Sequence, residues 1–386
     1  MKFKYIIKYF VKSIFIITFS PIVFIIHISG YRYINVFTKR IGHLALEPDI
    51  HIKKQILGKI NKKKWIIFYK KNKVANLFLL NKWKKYFITI DSSLLEYFFK
   101  LATFDGFGAI DIRKYINLGE NKQEAYEIYS LWKNKKSLIT LTTNEKKDGY
   151  QILKKMGYRN QNFIVCIHNR EKGYSLCDDE LQDYRNSSIN NFIKSIGYLC
   201  KQNIFTIRIG DMSHTKLKYK NTNFFDYSQS KYKSDFMDIY LAYKSNFLIG
   251  NTSGIACIYS VMGTPCGITN AIPLSTMWLS YKDLVIPKFL QIDKNYLNFN
   301  YILKKNISYK DSQRYNDRKI KIRENHSNDI LLLTKEMCQI NLIKSKYILS
   351  KNQKDFKKNI EKKHYCHMTE ANISKLFIKK YENLFF

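Results

Sequence analysis

Residues 241–270, LAYKSNFLIGNTSGIACIYSVMGTPCGITN, decide the fold of this chain. The apolar run Phe247–Ile249 predicts a buried strand, Gly250–Gly254 a tight turn, and the next residues a short apolar helix that stops at Gly263. A second strand is predicted after Pro265. A turn of small residues that opens a helix leaves backbone N–H groups free at the positive end of the helix dipole, where a phosphate binds well. An ordinary crossover between two strands is the alternative interpretation.

The preceding residues show the same alternation of strand and helix. Residues 163–168 and 204–209 predict two more buried strands. Either Ser187 or Ser188 is suited to cap the first helix that follows, and Ser234 the second. Strands that alternate with helices pair in parallel through right-handed crossovers, so this half of the chain is predicted to be a doubly wound α/β domain. In such a sheet, ligands bind beyond the carboxyl ends of the strands.

Polar and small residues follow the predicted strands at their carboxyl ends. Arg170 and Arg208 end or closely follow a strand, where the planar guanidinium can bind two phosphate oxygens. With the helix terminus at Ser253 they form a predicted diphosphate site. An ion pair of Arg208 with Asp211 or Asp238 is the alternative. The residues predicted to bind the phosphorylated ligand are His168, Arg170, Arg208, Gly210, Asn251, Thr252, Ser253 and Gly254.

The first half of the chain predicts a smaller α/β domain. Residues 65–69 and 87–90 have the apolar character of strands, and the basic stretch 76–85 between them has that of a helix. The polar, basic stretch 137–157 is expected to be a linker to the second domain.

Several side chains are candidates for a general base that deprotonates an acceptor hydroxyl. His43, Glu47 and Asp49 lie close together in what the sequence predicts to be one loop after a strand. Asp211 and His168 are alternatives in the second half of the chain. A structural carboxylate is the other interpretation of each acidic residue, and the sequence does not choose among the candidates.

The charge of the chain indicates an anionic partner. The sequence has 66 Lys and Arg against 31 Asp and Glu, a net charge of +35. A nucleic acid, an anionic lipid and a phosphorylated substrate would each complement this charge. Nucleic acid is disfavoured, because no helix-turn-helix, zinc finger or aromatic RNA-binding strand is recognisable.

The first residues predict a membrane anchor. No formally charged residue occurs over residues 13–31, and four lysines precede this run. Positive charge on both flanks and Pro21 at its midpoint favour a monotopic helix over a simple crossing. The seven cysteines include no CxxC pair and are an odd number, which indicates reduced thiols. We therefore expect a peripheral or monotopic protein on the cytoplasmic face of the inner membrane.

Short segments of the chain occur in an order and spacing that resemble a known family. They are Arg40–Asp49, Tyr184–Asn186, Arg208–Asp211, Asp226–Ser228, Ser234–Asp238 and Ser253–Gly254. Together they resemble glycosyltransferases associated with bacterial surface-polysaccharide synthesis (O-antigen, capsule or exopolysaccharide). The resemblance covers residues 40–290 and implies a GT-B-like pair of Rossmann-like domains, the second of which binds a nucleotide-activated sugar. His168–Arg170 is also similar to part of the HxRxGD segment of fucosyltransferase-like enzymes, but Glu171–Gly173 replaces its ending, so a GDP-fucose donor is not implied.

The predicted fold class is thus α/β, with two Rossmann-like domains in a GT-B-like arrangement and an N-terminal anchoring helix. The predicted segments are the anchor over 1–32, an acceptor domain over 40–150, a nucleotide-sugar-binding domain over 158–300 and a basic extension over 301–386.

The predicted function is transfer of a sugar from a nucleotide-activated donor to a lipid-linked or growing surface glycan. We expect no cofactor other than this co-substrate and no metal, because the acidic cluster Asp178–Glu180 lacks a DxD pair. A polysaccharide pyruvyl transferase or a nucleotide-sugar epimerase of similar architecture is the alternative enzyme. A basic, membrane-bound protein that binds polyanions is the non-enzymatic alternative. Walker A, GxGxxG and GxSxG motifs are absent, which disfavours nucleotide hydrolysis, dinucleotide redox chemistry and serine hydrolysis.

Overall fold

The computed structural model describes residues 2–110, 124–133, 135–159, 161–173, 181–213, 215–274, 276–343, 347–362 and 364–386. The chain divides into two compact units, unit 1 (Met1–Asn117) and unit 2 (Leu118–Phe386). Each unit contains a parallel sheet flanked by helices.

Unit 1 is built on a five-stranded sheet. Its elements in chain order are helix α1 (Lys2–Ile28), strand β1 (Tyr31–Ile34), helix α2 (Ile41–Ile56), strand β2 (Lys64–Tyr69), helix α3 (Leu77–Trp83), strand β3 (Ile88–Asp91), helix α4 (Ser93–Ala102) and strands β4 (Phe104–Asp105) and β5 (Gly108–Ile110). The strand order is β3-β2-β1-β5-β4, with neighbours in parallel. The α/β character predicted for this part of the chain is therefore confirmed, as are its strands near residues 65–69 and 87–90.

Local sequence explains the helices of unit 1. The side chains of Asn76 and Ser92 accept hydrogen bonds from the N–H groups of Leu79 (2.7 Å) and Leu95 (3.1 Å), and so cap α3 and α4. Apolar side chains then bury one face of the sheet in a cluster. This cluster consists of Tyr33, Ile66, Phe68 and Phe99.

Unit 2 carries the larger sheet. Its first elements are helix α5 (Glu124–Trp132), helix α6 (Thr143–Lys155), strand β6 (Ile164–His168), helix α7 (Ile193–Lys201), strand β7 (Phe205–Arg208), strand β8 (Phe224–Asp226), helix α8 (Asp235–Lys244), strand β9 (Phe247–Asn251), helix α9 (Gly254–Met262) and strand β10 (Cys266–Ala271). Then follow strands β11 (Leu284–Pro287), β12 (Phe289–Ile292) and β13 (Asn295–Tyr296), helices α10 (Phe299–Lys304) and α11 (Ser312–Asp317), strand β14 (Lys321–Arg323), helices α12 (Ser327–Asn341) and α13 (Lys351–Lys358), strand β15 (Asn372–Ile373) and helix α14 (Lys375–Lys380).

The main sheet of unit 2 is parallel and doubly wound, as predicted. Its strand order is β15-β11-β10-β9-β6-β7-β8. From β6 the chain first moves outward to β7 and β8, and then returns to the other side of β6 with β9. The order therefore reverses between β6 and β9, where every residue is buried. Strands covered on both faces by helices are expected to be continuously apolar, which explains the runs that identified them.

The stretch 137–157 is not a linker as a whole, because residues 143–155 form helix α6. Thr142 accepts a hydrogen bond from the N–H of Glu145 (3.2 Å), and the Glu145 carboxylate accepts one from the N–H of Thr142 (2.7 Å). This reciprocal capping box starts a helix even in a polar, basic segment. The helix belongs to unit 2.

Residues 301–386 also belong to unit 2, and β15 pairs with β11 at the edge of the main sheet. The buried carboxylate of Glu336 on α12 accepts hydrogen bonds from the Ser374 hydroxyl (2.5 Å) and the Lys375 N–H (3.1 Å), just after β15. One carboxylate thus joins α12 to the start of α14. The acceptor-binding and donor-binding roles of the domains, and their boundaries, stay predictions.

Candidate functional site

The carboxyl ends of β6 and β9 lie side by side at the point where the strand order of unit 2 reverses. His168, the last residue of β6, is opposite Gly250 in the register. A Cβ atom on Gly250 would lie 3.1 Å from the carbonyl oxygen of His168, so glycine permits this close approach. In doubly wound sheets the crevice at such a reversal is the preferred ligand site. The loops after these two strands are therefore the first candidates for a site.

Two buried asparagines tie these loops together. The Asn169 amide donates a hydrogen bond to the carbonyl oxygen of Ser187 (2.9 Å), and the Asn251 amide donates one to the Ser187 hydroxyl (2.8 Å). The Asn251 amide oxygen accepts a further hydrogen bond from the Thr269 hydroxyl (3.0 Å). Both ends of the Asn251 amide are thus engaged within the protein. This engagement holds the loop after β9 in a defined shape.

The turn from Thr252 to Gly254 opens helix α9. Ser253 is the N-cap residue and is 7% exposed, but its hydroxyl makes no hydrogen bond to the first turn of the helix. Among the described residues, neither the Ser253 hydroxyl nor that of Thr252 has a hydrogen-bond partner. A capping serine normally satisfies one of the first N–H groups of its helix. Since Gly254 and Ile255 are partly exposed, the start of α9 is open to a ligand that accepts hydrogen bonds.

Two cations hold the segment that faces this turn. The Arg185 guanidinium donates two hydrogen bonds to the carbonyl oxygen of Thr252, from Nε at 3.2 Å and Nη2 at 2.6 Å. Lys288 directly follows β11 and is 5% exposed, and its ammonium donates hydrogen bonds to the carbonyl oxygens of Tyr184 (3.0 Å) and Asn186 (2.5 Å). Positive charge therefore gathers at the start of α9, where the helix dipole has the same sign.

Burial governs the ionisation of two of these groups. It lowers the pKa of the Lys288 ammonium to about 8, against smaller opposing effects of Glu324 and Asp183. Burial also raises the pKa of the Tyr184 phenol, and the charges of Arg185 and Arg170 lower it in part. Both arginines thus lie within electrostatic reach of the same phenol.

Arg185 and Lys288 were absent from the predicted site. Arg185 was part of a segment that carried the family resemblance, without a role of its own. Lys288 had one recognisable signal, because it is a lysine at the carboxyl end of the apolar run Leu284–Pro287. The hydrogen bonds that connect both cations to the same loop depend on contacts between residues far apart in the chain, which the sequence does not display.

Arg208 forms an ion pair, the alternative to its predicted role in phosphate binding, but with other partners than Asp211 or Asp238. Its guanidinium is fully buried and lies 3.0 Å from the Asp226 carboxylate and 3.3 Å from that of Glu171. Two carboxylates next to one guanidinium leave it little charge to offer a ligand. Its role in phosphate binding stays a prediction and carries no part of the proposal below.

The other predicted residues of unit 2 lie around the ends of β6 and β7. The His168 ring nitrogen Nδ1 is 3.3 Å from the carbonyl oxygen of Ile209. The Asp211 carboxylate accepts a hydrogen bond from the Ser213 N–H (3.0 Å), and Gly210 is buried beside it. Arg170 is half-buried, and its carbonyl oxygen accepts a hydrogen bond from the Ser187 N–H (3.0 Å).

In unit 1, His43, Glu47 and Asp49 lie in helix α2 and not in a loop. The prediction of a loop was wrong, because residues 41–56 form a continuous helix in which residues 44–54 are buried. Successive turns of this helix bring His43 and Glu47 onto one face.

His43 and Glu47 form a hydrogen-bonded pair, whereas Asp49 serves another contact. The Glu47 carboxylate lies 2.7 Å from Nδ1 of His43 and accepts a hydrogen bond from the Phe37 N–H (3.1 Å). The His43 side chain is 46% exposed, and that of Glu47 only 2%. Asp49 is fully buried in an ion pair with Lys53 at 2.6 Å. The pair of His43 and Glu47 has the geometry of a carboxylate-oriented base.

A cavity of about 290 Å³ in unit 1 lies away from these residues. Arg32, Lys63, Trp65 and Asp105 are among the residues that line it. Among the described residues that line this cavity, none belongs to the predicted site. We therefore give this cavity no role in the site.

The structure shows no metal-binding cluster in the parts of the chain that it describes. There, no group of three or more His, Cys, Asp or Glu side chains could hold a metal ion. The acidic residues Asp178, Asp179 and Glu180 lie outside the described residues. Transfer without a metal stays a prediction.

Comparisons with known proteins found little. No protein-family model matches the chain, and no curated protein matches it. Among solved structures it is similar to a glycosyl transferase family 9 protein from Veillonella parvula, with a TM-score of 0.39 and 12% sequence identity over 79% of each chain. Because this likeness is so distant, the proposal below rests on the residues of this chain.

Proposed function

We propose that the chain is a glycosyltransferase that moves a sugar from a nucleotide-activated donor to a lipid-linked or growing bacterial surface glycan. The start of α9 carries this proposal, because the buried hydroxyls of Thr252 and Ser253 have no hydrogen-bond partner within the described part of the chain. Leaving a buried polar group unsatisfied costs about 1–3 kcal/mol, so such a group calls for a partner. A phosphate oxygen bound at the helix terminus would supply one.

The cations around this turn suit a diphosphate. Arg170 and Arg185 both lie near Tyr184, and Arg185 also contacts the Thr252 carbonyl directly. During transfer the bond between the sugar carbon and the diphosphate oxygen breaks, and the departing diphosphate gains negative charge. Fixed positive charges and helix N–H groups stabilise that charge without moving. The nucleotide-sugar is then the co-substrate, and these side chains supply the positive charge that a metal provides elsewhere.

We assign the proton transfer to His43. An acceptor hydroxyl must lose its proton as it attacks the sugar, and a histidine near neutral pH is suited to take it. Because Glu47 occupies Nδ1 of the ring, Nε2 remains for the acceptor. Glu47 is itself held by the Phe37 N–H and therefore acts as a positioning residue.

The proposal is tested by ligand-dependent thermal unfolding of the full chain. UDP-, GDP-, ADP- and CMP-linked sugars are each added at increasing concentration, and the melting temperature is followed. A ligand at a hundred times its Kd stabilises the folded state by about 2.7 kcal/mol, so one nucleotide class should raise the melting temperature. The stabilising compound is then incubated with the protein and a lipid-linked glycan acceptor, and transfer of the sugar is measured.

A matched pair of variants locates the binding. Arg170→Gln should weaken the nucleotide-sugar about 10- to 100-fold, because a charge-assisted hydrogen bond contributes about 1.5–3 kcal/mol. Arg159→Gln is the control, since Arg159 is exposed and precedes β6 at the opposite edge of the sheet. Equal affinity in both variants would remove Arg170 from the site.

Other outcomes favour the alternatives. If no nucleotide-sugar stabilises the protein and phosphoenolpyruvate does, the pyruvyl transferase is the better assignment. If a bound nucleotide-sugar is converted to an isomer and never transferred, the chain is an epimerase. The net charge of +35 favours a polyanion-binding protein if only heparin or nucleic acid raises the melting temperature and salt abolishes the effect.

A further inference from the structure

Helix α1 carries an apolar face that no described residue of unit 1 covers. The exposed side chains on this face are spaced three, four or seven residues apart, which places them along one side of the helix. They are Phe10, Ile14, Ile17, Phe24 and Ile28. Ile17 is 74% exposed. By length and composition, Phe10–Ile28 could cross a membrane.

The opposite face of α1 belongs to the fold of unit 1. The rings of Phe15 and Phe19 pack against Phe98 of α4, with ring centroids 6.4 and 4.8 Å apart. Val23 is fully buried, and Nδ1 of His27 accepts a hydrogen bond from the Gly108 N–H (3.1 Å). From Phe15 onward, α1 is therefore a packed helix of the unit.

This packing excludes a simple crossing of the bilayer. Only residues 2–14 of the helix precede its first ring contact with α4. At 1.5 Å per residue this segment is about 20 Å long, whereas the apolar core of a bilayer is about 30 Å thick. A helix that is apolar on its outer face and bound to its domain on the inner face lies along a membrane surface.

Helix α4 extends the uncovered apolar surface. Leu94 precedes Phe98 by one helical turn, so it lies on the side of α4 that contacts α1. Leu94 is nevertheless 77% exposed, and Tyr97 beside it is 63% exposed. Tyrosine is common where an apolar surface meets lipid head groups.

We propose that α1 and α4 together form one docking surface for an anionic lipid bilayer, with α1 lying in the plane of the membrane and Leu94 and Tyr97 entering it. The positive charge of the chain favours an anionic bilayer as the binding partner of this surface. Lys2, Lys4, Lys8 and Lys12 occur at the start of the same helix, and the whole chain carries +35. Basic residues next to an inserted helix are attracted by anionic head groups. This inference does not depend on the proposed enzymatic function.

The test is co-flotation of the full chain with vesicles. Vesicles of phosphatidylcholine with phosphatidylglycerol should bind the protein, and pure phosphatidylcholine vesicles should bind it more weakly. The double variant Leu94→Ser/Tyr97→Ser should reduce binding to the anionic vesicles about tenfold or more, because two apolar side chains no longer enter the membrane. The control Tyr301→Ser/Ile348→Ser removes two exposed apolar side chains of unit 2, at 47% and 68% exposure, and should bind like the unchanged protein.

Three results would overturn the proposal. Unchanged flotation of Leu94→Ser/Tyr97→Ser would remove α4 from the surface, and equal binding to both vesicle types would remove the role of charge. Analytical ultracentrifugation without vesicles gives the third. A dimer that the α4 variant dissociates, together with no vesicle binding, would identify a second copy of the chain as the occupant. Circular dichroism of the variant shows that the fold is retained, since both replaced side chains are exposed.

Discussion

At the scale of single residues, unit 1 separates three base candidates that the sequence left equivalent. His43 is exposed and paired with Glu47, whereas Asp49 is buried against Lys53. His43→Gln should therefore lower the rate of sugar transfer by about 10²–10⁴-fold, the usual contribution of a general base. Its melting temperature should change little. The rate is measured under saturating donor, with the melting temperature recorded in parallel.

Asp49→Asn provides the opposite expectation. It leaves the Lys53 ammonium buried without its carboxylate, and breaking a buried pair costs about 3–5 kcal/mol. Stability should fall and the rate of the folded fraction should persist. A His43→Gln enzyme that retains its rate would exclude His43 as the base.

The sequence identified the candidate residues of unit 1 but did not show which of them is the base and which is structural. His43, Glu47 and Asp49 were recognisable as a cluster of titratable side chains. Their roles depend on which side of α2 faces solvent, and the sequence analysis placed these residues in a loop instead of a helix. Arg208 shows the same limit, because its carboxylate partners come from the end of strand β8 (Asp226) and from the loop after β6 (Glu171).

At the scale of elements, Lys288 connects the end of β11 to the loop that faces α9. Burial lowers its pKa from 10.5 to about 8. Between these two pH values the unfolded chain binds a proton that the folded chain does not, so this group makes stability rise with pH in that window. The full rise is about 3 kcal/mol. Lys288→Met should lack this rise, which denaturant unfolding between pH 8 and pH 10 measures.

The neighbouring Lys282 is exposed and supplies the control. Lys282→Met should keep the pH dependence of the unchanged protein, because an exposed ammonium is solvated in both states. Parallel stability curves for Lys288→Met and the unchanged protein would show that Lys288 does not titrate in this window.

In unit 2, the strands that consist of continuous apolar runs were predictable from the sequence. The strands of 163–168, 204–209 and 247–249 have this pattern, because a parallel sheet is buried on both faces. Helix α6 and strand β15 were not predicted. The first is polar and depends on its capping box, and the second is short and is fixed by its pairing with β11.

At the scale of the whole molecule, the net charge of +35 over 386 residues destabilises the folded state, because the positive charges repel one another. Added KCl should raise the melting temperature, since the screening length shrinks from about 10 Å at 0.1 M to about 3 Å at 1 M salt. Thermal unfolding over this range of salt measures the effect.

A variant with less charge sharpens this test. Lys216, Lys218 and Lys220 are exposed and close together in the chain. Replacing all three by Glu should raise the melting temperature at low salt and flatten its salt dependence. A melting temperature that falls with salt in both proteins would show that favourable ion pairs outweigh the repulsion.

Because β15 pairs with β11 from near the end of the chain, the main sheet of unit 2 is completed only late in synthesis. Strand β15 is synthesised after the other six strands of its sheet. Until then, the edge of β11 in the nascent sheet has no partner strand. The Glu336 carboxylate also lacks two of its hydrogen-bond donors at that stage, because Ser374 and Lys375 are synthesised after β15. A chain that stops before Asn372 would keep a buried carboxylate without these donors and a strand edge free to pair with a neighbour. Interrupted translation should therefore yield products that cellular proteases recognise.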